Sequence, residues 1–295
     1  MAKLALGRAS IRPRQKSSGL VLFRRFVVEL FFYTLMLFLA GVFLLPLVWM
    51  IGASLKEEAQ IMTIPPTLFP RVPQWHNYAD MWRANIFSTL LFNSTKLAIL
   101  NVGGILLVSS LAGYGFARLQ FAGRDLAFSL LLSTIMVPGI VTLIPQFIIF
   151  RNIGWIDTHY PLWVPRVMTP VFGTFLLRQF FKTLPQDLED AGKIDGASTF
   201  GIYWRIMLPQ VRPALAAVGV FTFLDSWNDL FGPLIFVNRA ELQTLPVGLA
   251  LFQGEFATQI NLLMAAATLT VVPVLVVYFA AQRYFIQGIA LTGLK

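Results

Sequence analysis

Six apolar stretches of roughly 20 residues or more constrain this chain more than anything else in it: 26–51, 97–116, 126–150, 160–181, 214–237 and 262–285. A helix of that length crosses a hydrocarbon layer about 30 Å thick. Composition agrees, since 57% of the residues are hydrophobic and 13% charged, against about 25% charged in soluble proteins. The chain is therefore predicted to be all-α and transmembrane, with six spans. The first stretch exceeds the 7–15 apolar residues of a cleavable signal and no small-residue cleavage site follows it, so it reads as an uncleaved span.

The net charge of +9 invites a nucleic-acid reading, but the distribution of charge argues for membrane topology. Six spans leave both termini on one side, and 16 of the 23 Lys and Arg fall there. They include Lys3 to Arg25, Arg118, Arg124, Arg178 to Arg212, Arg283 and Lys295. Cytoplasmic segments carry such an excess. The predicted layout is a basic cytoplasmic tail at 1–25, a first span at 26–51 and an extracytoplasmic loop at 52–96. A core of five spans follows at 97–285, then a cytoplasmic tail at 286–295. No nucleic-acid partner is expected. The absence of cysteine excludes disulfides and thiolate chemistry.

A polar interruption, 184–213, divides the fourth and fifth stretches. Pro185, Asp187, Glu189 and Asp190 suit a helix start, with acids where the helix dipole is positive. Ala191, Ile194 and Ala197 recur at three-residue steps as a narrow apolar stripe. Gly196 permits a turn. A second helical stretch through Tyr203, Trp204 and Ile206 stops at Leu208-Pro209. An acidic first half argues against a helix lying on anionic lipid and for docking against a soluble partner.

This segment resembles the signature loop of ATP-binding-cassette importer permeases, which reads E-A-A, three residues, G, nine residues, I-x-L-P. Asp190-Ala191-Gly192 stands at the triplet, Gly196 at the glycine, and Ile206, Leu208 and Pro209 complete it. Aspartate keeps the charge of the glutamate, whereas Gly192 weakens the helix by about 1 kcal/mol relative to alanine. Pro65-Pro66, Asn77-Tyr78, Asn93-Ser94, Ser226-Trp227-Asn228-Asp229 and the ending 290–295 are similar to the maltose-type, carbohydrate-importing branch. The resemblance implies a type I permease fold with a coupling helix between spans four and five, seated in an ATPase cleft. Its coupling residues would be Glu189, Asp190, Ala191, Gly192, Asp195, Gly196, Ala197, Ile206, Leu208 and Pro209.

By the same resemblance the partners are a second, homologous permease, two ATPase subunits and an extracytoplasmic solute-binding protein, in a bacterial or archaeal plasma membrane. ATP and magnesium would sit on the ATPase chains. Consistent with that division, this chain has no G-x-x-x-x-G-K-[ST] phosphate loop, no catalytic residue is assigned, and His76 and His159 suggest no metal site.

Polar residues within spans are costly and usually face a cavity or a partner. Asp225, Trp227, Asn228 and Asp229 therefore become candidates for a solute passage, with tryptophan stacking on a sugar face, or for a clamp between helices. Asn101, Gln146 and Gln253 are weaker passage candidates. Arg166 is expected to pair with an acid or snorkel, and Glu29 to pair with Arg25 at i, i+4. The expected cargo is a sugar, with a polyol or glycerol-phosphate-type solute as the alternative. A membrane enzyme using Asp225 and Asp229, or a secondary transporter, would leave the 184–213 signature unexplained.

Overall fold

The computed structural model describes residues 19–84, 87–255 and 259–292. These divide into two units, at residue 49/50. The first unit is the greater part of α1 (Gly19–Ser54), apolar around its whole circumference and exposed from Phe23 through Pro46. The expected Arg25–Glu29 pair is not formed; both side chains are exposed.

The second unit is built around α4 (Phe87–Arg118). Before it come two short helices, α2 (Glu58–Ile61) and α3 (His76–Ala84). After it follow α5 (Arg124–Ser133), α6 (Gly139–Asn152), α7 (Tyr160–Met168) and α8 (Val171–Thr183). The polar segment holds α9 (Asp187–Ile194), α10 (Thr199–Ile202) and α11 (Leu208–Gln210). The remainder is α12 (Arg212–Trp227), α13 (Phe231–Phe236), α14 (Leu245–Glu255) and α15 (Ile260–Thr292).

Among the described residues, α1, α4 and α15 are uninterrupted helices long and apolar enough to cross a membrane. The other expected spans are broken. Pro138-Gly139 separates α5 from α6 with a 99° bend, as proline after a helix end requires. The 160–181 stretch is split at Thr169-Pro170 into α7 and α8. The 214–237 stretch ends its first helix at Trp227 and resumes at Phe231. Helix α4 begins ten residues before 97 and α15 continues to Thr292, so both helices extend past the apolar stretches they contain.

Close approach around α4 depends on small residues. A Cβ on Gly113 would lie 3.1 Å from the backbone nitrogen of Arg178, and one on Gly173 would lie 2.9 Å from Ser109. Such contacts bring helix backbones together where no hydrophobic force between helices operates. Three apolar clusters follow along α4. One surrounds Trp227, Leu90 and Ala265. Another joins Leu97, Phe150, Leu162 and Phe236. The third, around Tyr114, Leu177 and Phe181, takes in Tyr203, Met207 and Val211 from the polar segment.

Polar clamps hold the other end of α4. Asn93 Nδ2 donates to the carbonyls of Glu241 and Gln243, both at 2.9 Å, and Ser94 Oγ accepts from Leu245 N at 2.9 Å. Asn77 donates to the carbonyls of Ser54 and Lys56 and accepts from Asn261.

Candidate functional site

The 184–213 segment is a compact helical corner with a buried underside and an exposed outer face. Three acids, Asp187, Glu189 and Asp190, occupy the first turn of α9, where its unpaired amides favour negative charge. Gly196 ends the helix at φ +76°. Its N–H bonds the Lys193 carbonyl at 3.0 Å, and Ala197 N–H reaches back to Gly192 O at 2.9 Å. This is a Schellman ending, whose left-handed residue is ordinarily glycine. Ser198 then caps α10 by accepting from Gly201 N at 3.2 Å.

Between α10 and α11 the chain makes one turn of π-helix, Tyr203–Met207. Such single turns concentrate at functional places. Here the turn sends Tyr203 and Met207 inward while Trp204 stays exposed. Tyr203 shares a 2.8 Å hydrogen bond with Ser110 of α4, and its ring packs on Tyr114 at 5.3 Å.

Arg118, the last residue of α4, ties the corner down. Its guanidinium donates to the carbonyls of Phe181 and Leu184 and to Gln186 Oε1. It also pairs with Glu189 at 3.4 Å, with both side chains over nine-tenths buried. Gly192 fits beneath: a Cβ there would lie 2.8 Å from Ile206 and 3.0 Å from Ile202. An alanine at this position, as in the signature pattern, would require the side chains of Ile206 and Ile202 to shift.

The ten expected coupling residues fall into two groups. Glu189 and Gly192 are buried, and Ala197, Ile206, Leu208 and Pro209 half-buried; they form the frame. Asp190, Ala191, Asp195 and Gly196 are exposed. For Glu189 the expectation of a docking acid is corrected, because its carboxylate points inward to Arg118. The outer face carries apolar side chains instead. Ile194 is 87% exposed and Phe200 63%, and Phe200 stacks on Trp204 at 6.3 Å and 14°. The contributions of Arg118 and Phe200 were invisible in sequence, because both depend on which residues the fold brings beside them.

The candidate passage residues separate as well. A cavity of about 470 Å³ opens between α6, α7 and α13, lined by Gln146, Arg166 and Asp229 among others. Arg166 bridges two carboxylates, Asp225 at 3.0 Å and Asp229 at 2.9 Å. The expected acid partner of Arg166 is therefore a pair of acids, Asp225 in the last turn of α12 and Asp229 in the link to α13. Asp229 also accepts from Gly232 N at 3.1 Å, shaping the turn into α13. Gln146 bonds Thr142 at 3.1 Å.

Four passage candidates do not line this cavity: Asp225, which meets it only through Arg166, and Trp227, Asn101 and Asn228. Trp227 is 2% exposed, stacked on Phe223 at 5.3 Å and bonded through its N–H to Thr270 O at 3.2 Å. Its expected role as a sugar-stacking face is corrected to that of a core residue. Asn101 is buried and clamps α4 to Ser226 at 2.9 Å. Asn228 is exposed and bonds the Leu224 carbonyl at 2.8 Å, closing α12. The side chain of Gln253 lies outside the described residues. Among the described residues no cluster of three metal-ligating side chains occurs.

This architecture is that of a transport-machine membrane subunit. The fold matches a chain of a bacterial ABC transporter involved in the import of the acidic polysaccharide alginate, with a TM-score of 0.73, 20% identity, and 88% and 96% of the two chains covered. The chain belongs to the family of binding-protein-dependent transport system inner membrane components, whose model matches residues 105–291, the whole corner included. Relatives are permeases too. The arabinooligosaccharides transport system permease protein AraQ of Bacillus subtilis (strain 168) is 32% identical, covering 92% of this chain and 96% of its own. The sulfoquinovosyl glycerol permease SmoH of Agrobacterium fabrum is 33% identical, covering 85% and 89%. The sn-glycerol-3-phosphate permease UgpE of Yersinia enterocolitica is 32% identical, covering 89% and 96%. The chain is a multi-pass membrane permease subunit of an ABC importer, not an enzyme.

Proposed function

We propose that this permease carries a sugar or small oligosaccharide, and that the 184–213 corner is its coupling element. One observation carries the coupling reading. A segment framed by buried contacts to α4 and α8 presents Ile194, Phe200 and Trp204 outward, beside the exposed acids Asp187, Asp190 and Asp195. Large apolar groups held exposed on a rigid support mark an interaction surface. The partner is an ATPase subunit that holds ATP and magnesium, one of two, with a second permease completing the pore. Six crossings follow if the broken helices α5–α6, α7–α8 and α12–α13 each count as one, which leaves both termini and the corner cytoplasmic. A solute-binding protein delivers cargo at the opposite end, near the Asn93 clamp.

The corner then works as a lever. Force applied to α9 passes through Arg118 into α4 and through Val211 into α12, both of which border the core. A ligand shifts such an equilibrium only through contacts that differ between the two states. The exposed face supplies contacts available only when the ATPase closes on it.

Cargo is supported by the relatives' names and by the cavity. Arg166 is fully engaged by two carboxylates, so the cavity lining offers hydroxyl-matching groups and no free cation among the described residues. This favours a neutral polyhydroxyl solute over a phosphate ester.

Gly196→Arg tests the coupling assignment. No side chain lies within 4 Å of a Cβ placed there, so the change meets open space and disturbs the outer face. Placing a side chain at this left-handed position costs about 1–2 kcal/mol. The variant should insert and assemble with its partner permease while losing ATP-driven uptake in vesicles. Wild-type uptake by Gly196→Arg would remove the coupling assignment.

A further inference from the structure

At the end of α4 remote from the corner, a pocket of about 400 Å³ lies between α4 and the start of α7. Lys96, Arg239 and Asp157 all line it, two cations against one carboxylate, and neither cation forms an ion pair within 4.0 Å among the described residues. Lys96 Nζ lies over the ring of Phe92, 5.8 Å from its centroid. Arg239 donates to the backbone carbonyl of Asp157 at 3.0 Å. The Asp157 carboxylate accepts from the amides of Asn238 and Arg239 and lies within the field of the Arg239 charge. His159 Nε2 lies 2.8 Å from the Leu242 carbonyl, so this nitrogen carries the hydrogen. The positive end of the α7 dipole adds to the same field.

We propose that this pocket binds the phosphate of an anionic phospholipid. A lysine within a membrane-crossing helix is costly without a counter-charge, and Lys96 has no ion-pair partner among the described residues. The single carboxylate of the pocket, Asp157, is engaged by Asn238 and Arg239. The surface beside it fits an acyl chain. Ile99 and Leu100, one turn along the same face of α4, are 67% and 37% exposed. Tyr160, half exposed at the rim, is the residue type that settles at headgroup depth. A cationic pocket continuous with an apolar helix face matches an amphiphile better than a free phosphate ester. The site rests on the membrane location of the chain and not on the coupling or cargo reading, so the failure of either leaves it standing.

Native mass spectrometry of the assembled importer tests it, with phosphatidylglycerol and phosphatidylcholine as probes and soluble glycerol phosphate as a third arm. Phosphatidylglycerol should be retained preferentially. Retention should fall roughly fivefold in Lys96→Gln and roughly 25-fold when Arg239→Gln is added, from the usual contribution of one cation near a charged headgroup. Lys182→Gln, an exposed lysine at the far end of α8, should leave retention unchanged. Thermal stability of each variant in the same detergent reports that it is folded. Equal retention of the two lipids overturns the proposal, as does undiminished phosphatidylglycerol in the folded double variant. Glycerol phosphate bound as well as the lipid would assign the pocket to a soluble phosphate ester instead.

Discussion

Replacing Arg118 by methionine should detach the 184–213 corner from the core while leaving α4 in the membrane. In the native chain the guanidinium satisfies the carbonyls of Phe181 and Leu184, Gln186 Oε1 and the Glu189 carboxylate. Methionine retains most of the apolar stem and removes every donor. Breaking one side of a buried pair costs about 3–5 kcal/mol, because the remaining charge is left uncompensated. At about 1.4 kcal/mol per factor of ten, amides of α9 and of the Tyr203–Met207 turn should exchange hydrogen roughly two to three and a half orders of magnitude faster. Glu189→Gln also leaves a buried charge uncompensated, but should do less, since Arg118 keeps its hydrogen bonds to Phe181, Leu184 and Gln186. Hydrogen exchange of the importer in nanodiscs reads both, with α4 residues 97–110 as an internal reference. Exchange within about threefold of wild type in Arg118→Met, or equal effects of the two variants, would refute Arg118 as the anchor.

Asp225 and Asp229 share one arginine but are not equivalent. Asp229 is 16% exposed and also shapes the turn into α13, whereas Asp225 is 73% exposed. Asp229→Asn should lower stability by about 1.5–3 kcal/mol and Asp225→Asn by no more than about 1 kcal/mol, which thermal melts of the purified importer will rank. Trp227→Phe keeps the stack on Phe223 and loses the bond to Thr270, so it should cost about 1 kcal/mol without changing solute concentration dependence of uptake. A large loss of apparent solute affinity would restore Trp227 to the passage. His159 is held below the ordinary histidine range, first by burial and then by the charge of Lys96, against the opposing bond to Leu242. Its stabilising contribution is present above the unfolded pKa, about 6.5, and is lost as pH falls through the lower folded value. The melting temperature should therefore drop between pH 7 and pH 5, and less so in His159→Gln; identical slopes in the two proteins would contradict this.

Much of the fold was legible because the bilayer imposes a length on apolar runs. The runs in α1, α4 and α15 are found as continuous helices, and Pro138, Pro170 and the acids of α9 sit at the breaks and helix start their chemistry suggests. Spacing alone also located the corner: Gly196 occupies a left-handed turn, and Gly192 a buried position against Ile202 and Ile206. What the sequence could not rank was the direction in which a polar side chain points. Glu189 and Asp190 are neighbours of the same charge, yet one is buried against Arg118 and the other paired on the surface with Lys193 at 3.0 Å.

The same reason separates the tryptophans. Trp204 and Trp227 are both apolar rings with one N–H, and only packing partners far away in sequence decided that one is exposed and the other enclosed. The resemblance of the 184–213 spacing to a family signature implied a permease, while the apolar lengths and the placement of basic residues by themselves determined a polytopic chain with a polar corner. Local chemistry is sufficient for that, because helix length, charge and glycine conformation act over a few residues. The tertiary structure alone decided which residues frame the corner, which face outward from it, and which acids neutralise Arg166. Those outcomes depend on contacts between helices 60 or more residues apart, such as Arg166 with Asp229 and Arg118 with Phe181.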